Sequence, residues 1–442
     1  MGRRAVDIER IALELINSDD TTAKKKSAKK IFDLAYKKGV YPASIHEFYI
    51  ARGKAEFPGG WTVPAINLRS MTYDLARAIF RVAKRNNSGA FIFEIAKSEM
   101  GYTNQPPIEY SAVILAAAVK EEYTGPVFIQ GDHFQLNLKK YQENPEKEIA
   151  GLEALITDAV GAGFYNIDID SSTLVDLSQT DIKQQQYLNY EVCAKITQFI
   201  RRIEPKGITV SVGGEIGEVG HQNSTAEDLR TFMAGFQERL RKGLTGISKI
   251  SIQTGTSHGG VVLPDGSIAQ VKLDFETLKN LSEIAKKEFG MAGAVQHGAS
   301  TLPAEAFHKF AECDTAEVHL ATEFQNMIYD SKYFPQDLKT KIYEWLKVNA
   351  ASERKEGETE EQFFYKTRKK ALGAFKKDIM GLSREIRNAI AGEIENKFEF
   401  LFKQLNDVNN KDLVNKYVTL KRVITRPRQE AKEIIHDGEG AD

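Results

Sequence analysis

Between residues 62 and 321 this sequence repeats one pattern, a short apolar run followed by a longer stretch of helical periodicity, and that pattern leaves few folds open. The runs are TVPAINL (62–68), AFIFEIA (90–96), PVFIQGD (126–132), YNIDID (165–170), ITVSVGGE (208–215), ISKISIQTG (247–255), AGAVQHG (292–298) and TAEVHLA (315–321). Residues 72–86, 108–121, 146–161, 185–204, 225–242, 274–289 and 303–311 carry apolar side chains at helical spacing between them. Strands that alternate with helices lie parallel and are joined by right-handed crossovers. Eight is the number that closes a (β/α)8 TIM barrel, which is the fold class expected. An open, doubly wound sheet is the alternative.

The barrel is expected over residues 59–335, and the 442-residue chain exceeds a bare barrel of about 250 residues. Residues 1–58 form an N-terminal helical extension, with two amphipathic helices over 5–40 broken at the cap-like cluster Asp19-Asp20-Thr21-Thr22. Residues 336–426, rich in Lys, Glu and Phe, form a C-terminal helical extension with a charged break at 353–361. Its plainer reading is a set of solvated helices covering the barrel; an oligomer interface is the other. Residues 427–442 are polar and expected to be a flexible tail. With 60 basic and 61 acidic side chains, the chain has no field to attract nucleic acid or an acidic membrane, so an anionic substrate must be caught by local groups. No apolar run approaches the ~18 residues that span a bilayer, and the first twenty residues are not a signal peptide. Two cysteines, Cys193 and Cys313, read as reduced core thiols of a cytoplasmic protein.

In a parallel barrel the chemistry sits where strands end at their carboxyl side, because those ends share one mouth. The third run ends in Gly131-Asp132-His133, the fourth in Asp168-Ile169-Asp170, the fifth in Gly214-Glu215, the sixth leads to His258, the seventh to His297 and the eighth contains His319. A single histidine at a strand end is ordinarily just hydrogen-bonded. His133, His258 and His297 together make a site for Zn²⁺ or another divalent metal, with Glu215 or Asp170 as a further oxygen ligand. The loops His258-Gly259-Gly260 and His297-Gly298-Ala299-Ser300 place backbone N–H groups directly after strands, where they hold phosphate or simply make tight turns. Neighbours on a strand face opposite ways, so Asp132 and His133 share the mouth only if the strand ends at Gly131. Asp132 is then a general acid/base, or a carboxylate that orients a ligand histidine.

These segments, in order, resemble the class II aldolases that act on fructose and tagatose bisphosphates. The likeness lies in Gln130-Gly131-Asp132-His133, in Gly163-Phe164 through Ile169-Asp170-Ser171-Ser172, in Val212 to Gly217, in Ser257-His258-Gly259, in Gln296 to Ser300, in Val318 to Glu323 and in Pro64-Ala65-Ile66-Asn67. It covers about residues 60–330. The resemblance implies zinc held by His133, His258 and His297, with Glu215 as alternative ligand, and Asp132 handling the proton of the hydroxyl at the cleaved bond. It implies phosphate held by Gly259, Gly298, Ser300 and Thr322, a substrate contact at Asn67, and a metal-stabilised enediolate as the species formed on cleavage. Glu218 stands nearest to the family's loop glutamate that deprotonates the ketose. A homo-oligomer acting on a phosphorylated sugar is the expected assembly.

The departures keep a second activity open. The family's first Glu in its fifth-strand motif is Gly213 here, its strand-two Ser is Ala96, and the Lys and Asn of its last strand motif are Glu317 and His319. Lys97, near Glu94, pairs with that carboxylate or holds a substrate anion. The segment EIAKSEMGYTN also resembles a sister group of tagatose-bisphosphate aldolase partner subunits and uronate epimerases, which use retro-aldol chemistry without always cleaving the sugar. A metal-dependent sugar or uronate epimerase is therefore the alternative to an aldolase, and a non-enzymatic partner subunit, which predicts an incomplete histidine set, ranks last.

Overall fold

The structure, a computed structural model, describes residues 7–217, 222–255, 263 and 273–423. Nine strands form among the described residues: β1 (Val40–Ala43), β2 (Val63–Asn67), β3 (Ile92–Ala96), β4 (Gly125–Gln135), β5 (Asn166–Asp170), β6 (Ser211–Glu215), β7 (Lys249–Ile252), β8 (Ala294–Gln296) and β9 (Glu317–Leu320). All pairings are parallel. β2 to β9 follow the order β4-β3-β2-β9-β8-β7-β6-β5, and β5 pairs back onto β4, so eight strands close a barrel. The eight apolar runs of the sequence are these eight strands. Helix Thr72–Asn86 spans the expected residues, and Pro107–Lys120, Pro145–Gly161 and Phe275–Phe289 begin one residue from the expected starts.

The N-terminal helices Ile8–Asn17 and Thr21–Lys37 break where the acidic cluster stands, and the Asp20 carboxylate caps the second by accepting from Thr22 N at 2.8 Å. The strand that follows was not expected. β1 lies on the lower half of β4, Val40 opposite Gly125 and Ala43 opposite Phe128. The Asn166 amide ties it to the barrel, accepting from Ile45 N at 2.9 Å and donating to Ala43 O at 3.2 Å. Helix His46–Gly53 then plugs the barrel floor. Phe48, Phe57 and Trp61 pack there with Val63, Ile92 and Phe128. The buried Arg52 guanidinium donates to the carbonyls of Trp61 and Thr315 at 2.8 and 3.1 Å, satisfying backbone that would otherwise be buried without partners.

The C-terminal helices pack on the barrel. The longest, Arg384–Gln404, lies along Thr72–Asn86, with Arg387 and Asp74 buried and paired at 2.8 Å. Before it, helix Glu360–Thr367 and the turn Arg368–Ala371 sit beside the barrel's mouth. After it, helix Lys411–Tyr417 packs against the floor helix. Cys193 and Cys313 are buried, unpaired thiols.

Candidate functional site

Asp132 and His133 reach the same mouth by a different route from the one expected. β4 does not end at Gly131; it continues to Gln135. Gly131 pairs with Ile167 and Phe134 with Ile169, so two residues of β4 face one of β5, a β-bulge. His133 sits at the bulge with φ +37°, a left-handed conformation that turns its ring to the side Asp132 already faces. Gly131 makes room for this turn, since a Cβ there would strike the Phe134 ring.

Around the bulge the donors converge. His133 Nδ1 lies 3.3 Å from Asp170 Oδ2 and 3.5 Å from Glu215 Oε2. The His133 and His297 rings are 4.3 Å apart, and His297 Nε2 is 3.1 Å from the Ser251 hydroxyl. Asp132, His133 and His297 bring ligand atoms within 4.8 Å of one another, and so do His133, Asp170 and Glu215. The donor set fits a divalent cation on two grounds. Imidazole and carboxylate are the donors that borderline ions select. Among the described residues, the ion pairs of Asp132, Asp170 and Glu215 all go to histidines, so two buried carboxylates and one half-buried carboxylate cluster without a Lys or Arg at bonding distance. Asp132 Oδ1 is buried without an aligned hydrogen bond, although His319 Nδ1 lies 3.2 Å away. Burial, helped by Asp170 and opposed by His133, pushes the Glu215 carboxyl up to about 7. Burial also works against charge on Asp132, but His133 and His319 outweigh it and hold the carboxyl well below its usual range.

Asn67, Gly298, Ser300, His319 and Thr322 line the same cleft of about 410 Å³, beside Asp132, His133 and His297. Lys97 is not brought to this group. Its ammonium donates to Gln135 O at 3.0 Å and lies 3.6 Å from Glu148, so it pairs with neither Glu94 nor the cleft. His258, Gly259 and Glu218 lie outside the described residues.

Below the mouth the barrel interior is ionic. Lys249 Nζ, from β7, bonds Gln130 Oε1 at 2.8 Å, Asp168 Oδ2 at 2.8 Å and Glu317 Oε1 at 2.5 Å. Tyr49, rising from the floor helix, donates to Glu317 Oε2 at 2.5 Å. His319 bridges upward, 2.7 Å from Glu317 Oε1 and 2.9 Å from Glu94 Oε2. Burial opposes its charge, but Glu94 and Asp132 keep its pKa well above the usual imidazole range. This chain of alternating charge joins floor to mouth. It also explains Gly213, the register partner of both Asp168 and Lys249: a Cβ there would collide with Asp168 Oδ1, so a glutamate has no room. The sequence did carry a signal for the network. Glu94, Asp168, Lys249 and Glu317 each stand inside an apolar run, where a buried charge needs a partner of opposite sign.

A closed parallel barrel carries at its carboxyl mouth a histidine–carboxylate cluster whose donors could hold a metal ion. The sequence profile of the class II fructose-bisphosphate aldolases matches residues 54–405, and the chain belongs to that family, which is generally metal-dependent and whose members are lyases. No curated protein sequence matches the chain. Solved structures similar to it include a probable tagatose 6-phosphate kinase from Sinorhizobium meliloti, at 15% identity and a TM-score of 0.54 over 80% of this chain and 99% of the other. A fructose-bisphosphate aldolase from Campylobacter jejuni aligns at 19% identity and 0.50 over 84% and 97%. A fructuronate-tagaturonate epimerase from Cohnella laeviribosi aligns at 12% and 0.51 over 82% of each chain. At these identities the likeness is one of fold. No helix among the described residues is long and apolar enough to cross a membrane.

Proposed function

We propose that this chain is a zinc-dependent aldehyde-lyase that cleaves and forms a phosphorylated ketose. Fructose 1,6-bisphosphate or tagatose 1,6-bisphosphate would yield dihydroxyacetone phosphate and glyceraldehyde 3-phosphate. The observation that carries the reading is the bulge in β4, which sets a carboxylate and an imidazole side by side on one mouth. His133 and His297, with His258 and the Glu215 or Asp170 carboxylate, would hold the cation, whose Lewis acidity polarises the ketose carbonyl.

The chain's own groups do the rest. Asp132, kept ionised by its histidine neighbours, takes the proton from the hydroxyl at the bond that breaks and returns it when the bond forms. Asp170 accepts from Gln135 Nε2 and the Ser172 hydroxyl, both at 2.6 Å, and so fixes the carboxylate that orients His133. Gly298, Ser300 and Thr322 meet a phosphate at the far side of the cleft, where a nest of N–H and O–H donors needs no net positive charge. The alternative, a sugar or uronate epimerase, draws support from His319: it gives the cleft a second proton carrier, wedged between Glu94 and Asp132.

Metal content and cleavage of fructose 1,6-bisphosphate decide between these, measured together in the wild type, His133→Ala and His258→Ala. Stoichiometric zinc with triose-phosphate release, both lost in the variants, is the expected outcome. Zinc without cleavage moves the assignment to epimerisation. A wild type that takes up no divalent metal refutes the site.

A further inference from the structure

We infer that the cleft has a second cation site, built from Glu94, Asp132, His319 and Asn67, which takes a divalent ion of the oxygen-preferring kind. The inference goes beyond the proposed function and needs neither zinc at the His133 cluster nor cleavage of a sugar. The four residues come from one arc of the barrel, because β9, β2, β3 and β4 are consecutive in the sheet. His133, Asp170 and Glu215 belong to the next arc, β4, β5 and β6. The bulge in β4 divides its two polar residues between them: His133 groups with Asp170 and Glu215, Asp132 with Glu94 and His319.

Four atoms on this arc lack a partner. Asn67 Oδ1, Glu94 Oε1, Asp132 Oδ1 and His319 Nδ1 are buried with no hydrogen bond, on residues at most 5% exposed that all line the cleft. So many unsatisfied groups in one place are costly unless a ligand takes them up. A water molecule could donate to only two of the three oxygens, and it brings no charge. Charge is what the arc needs. Among the described residues, Glu94 pairs only with His319, and Asp132 only with His319 and His297.

The spacing and the supports suit an ion. His319 Nδ1 lies 2.9 Å from Glu94 Oε2 and 3.2 Å from Asp132 Oδ1, aligned with neither as a hydrogen bond. Two ligand atoms at right angles on an ion at about 2.1 Å stand about 3.0 Å apart. Each donor is also held from behind. His319 Nε2 is 2.7 Å from Glu317 Oε1, which accepts from Lys249 and Gln130 at 2.5 and 2.7 Å. A carboxylate behind the imidazole is the usual support of a ligand histidine. Asn67 Nδ2 donates to Glu99 Oε2 at 2.5 Å, which leaves Oδ1 as the free end of the amide. Three oxygens and one imidazole suit Mn²⁺ or Mg²⁺, whereas the His133 cluster is richer in imidazole. A cation here takes Oδ1 of Asp132, leaves the other oxygen to the substrate, and favours the ionised form of a substrate hydroxyl beside it.

The test uses the full chain, stripped of metal and given one equivalent of Zn²⁺, which outcompetes Mn²⁺ for imidazole donors. Mn²⁺ is then titrated and followed by electron paramagnetic resonance, with spin-echo modulation counting the bound nitrogens. Wild type, Glu94→Gln and His319→Gln are compared, together with His133→Ala titrated without zinc, and the Tm of each is recorded. The expected result is one Mn²⁺ per chain with one coordinated imidazole nitrogen. Affinity falls at least about tenfold in Glu94→Gln, the nitrogen signal disappears in His319→Gln, and Mn²⁺ is retained in His133→Ala. If Glu94→Gln does not fold, His319→Gln decides. Mn²⁺ bound with unchanged affinity in both Glu94→Gln and His319→Gln, or lost only in His133→Ala, overturns the site and leaves the aldolase reading standing. A zinc-loaded wild type that takes up no Mn²⁺ also overturns it. Mn²⁺ held through one nitrogen in a chain that binds no zinc and cleaves no sugar supports the site and removes the proposed function.

Discussion

Replacing Lys249 by methionine tests the ionic interior directly. The lysine is 1% exposed and is the cation that Asp168 and Glu317 share, at 2.8 and 2.5 Å. Methionine fills much of the space but leaves two buried carboxylates facing each other. Breaking a buried pair by removing one partner costs about 3–5 kcal/mol. The cost has a pH signature. Burial already pushes the Asp168 carboxyl up to about 6, against the pull of Lys249, and losing that pull raises it further. A carboxyl whose folded pKa exceeds its unfolded value stabilises the fold at low pH, and that contribution is lost as pH rises through the folded pKa. The loss in Lys249→Met is therefore larger at pH 7.5 than at pH 5.5, by up to about 2 kcal/mol for one proton, because the wild-type carboxyl at about 6 already loses part of its contribution over the same window. Urea unfolding at the two pH values, compared through midpoints at constant slope, measures this. A variant within about 1 kcal/mol of the wild type at pH 7.5, or one equally destabilised at both pH values, would refute the account of the network.

Gly213→Ala should destabilise the chain by about 1–3 kcal/mol through overpacking, because its Cβ meets Asp168 Oδ1; equal urea midpoints would show that the barrel interior has slack. His46 is buried beneath the barrel, where burial and then Arg201 pull its pKa down to about 4. A depressed histidine contributes stability that is present above its unfolded pKa and lost as pH falls through the folded one. Wild-type stability should therefore drop between about pH 6.5 and 4, at up to ~1.4 kcal/mol per unit, and His46→Phe should flatten that slope. Cys193 is fully buried, and burial lifts its thiol to about 12; it should resist thiol reagents in the native protein and react on unfolding, and rapid labelling of the folded chain would contradict this.

The barrel was legible because its signal is local and repeated. Each strand buried on both faces leaves an apolar run, and each crossover helix leaves a stripe. The residues at the strand ends followed from that, which is why Asp132, His133, His297, Asp170 and Glu215 meet in one place. What the sequence hid is non-local. β1 is four residues long and contains Pro42, and it becomes a strand only because the lower half of β4 offers it an edge. The bulge has no signature in Gly-Asp-His, since the left-handed turn at His133 is imposed by the register of β4 on β5. Arg69 and Glu99, thirty residues apart, look like ordinary helix-entry residues until β2 and β3 pair.

The charged column from Tyr49 to Asp132 also bears on how this barrel responds to heat. Most barrels fill the corresponding layers with branched hydrocarbons, whose burial gives unfolding its large heat capacity and its steep curvature with temperature. Here Glu94, Asp168, Lys249, Glu317 and His319 occupy that volume. Polar groups exposed on unfolding lower the heat-capacity change, and the free-energy penalty for keeping ions out of water shrinks on warming. Both effects flatten the stability curve, so the interior that weighs most against folding in the cold weighs least when the protein is hot.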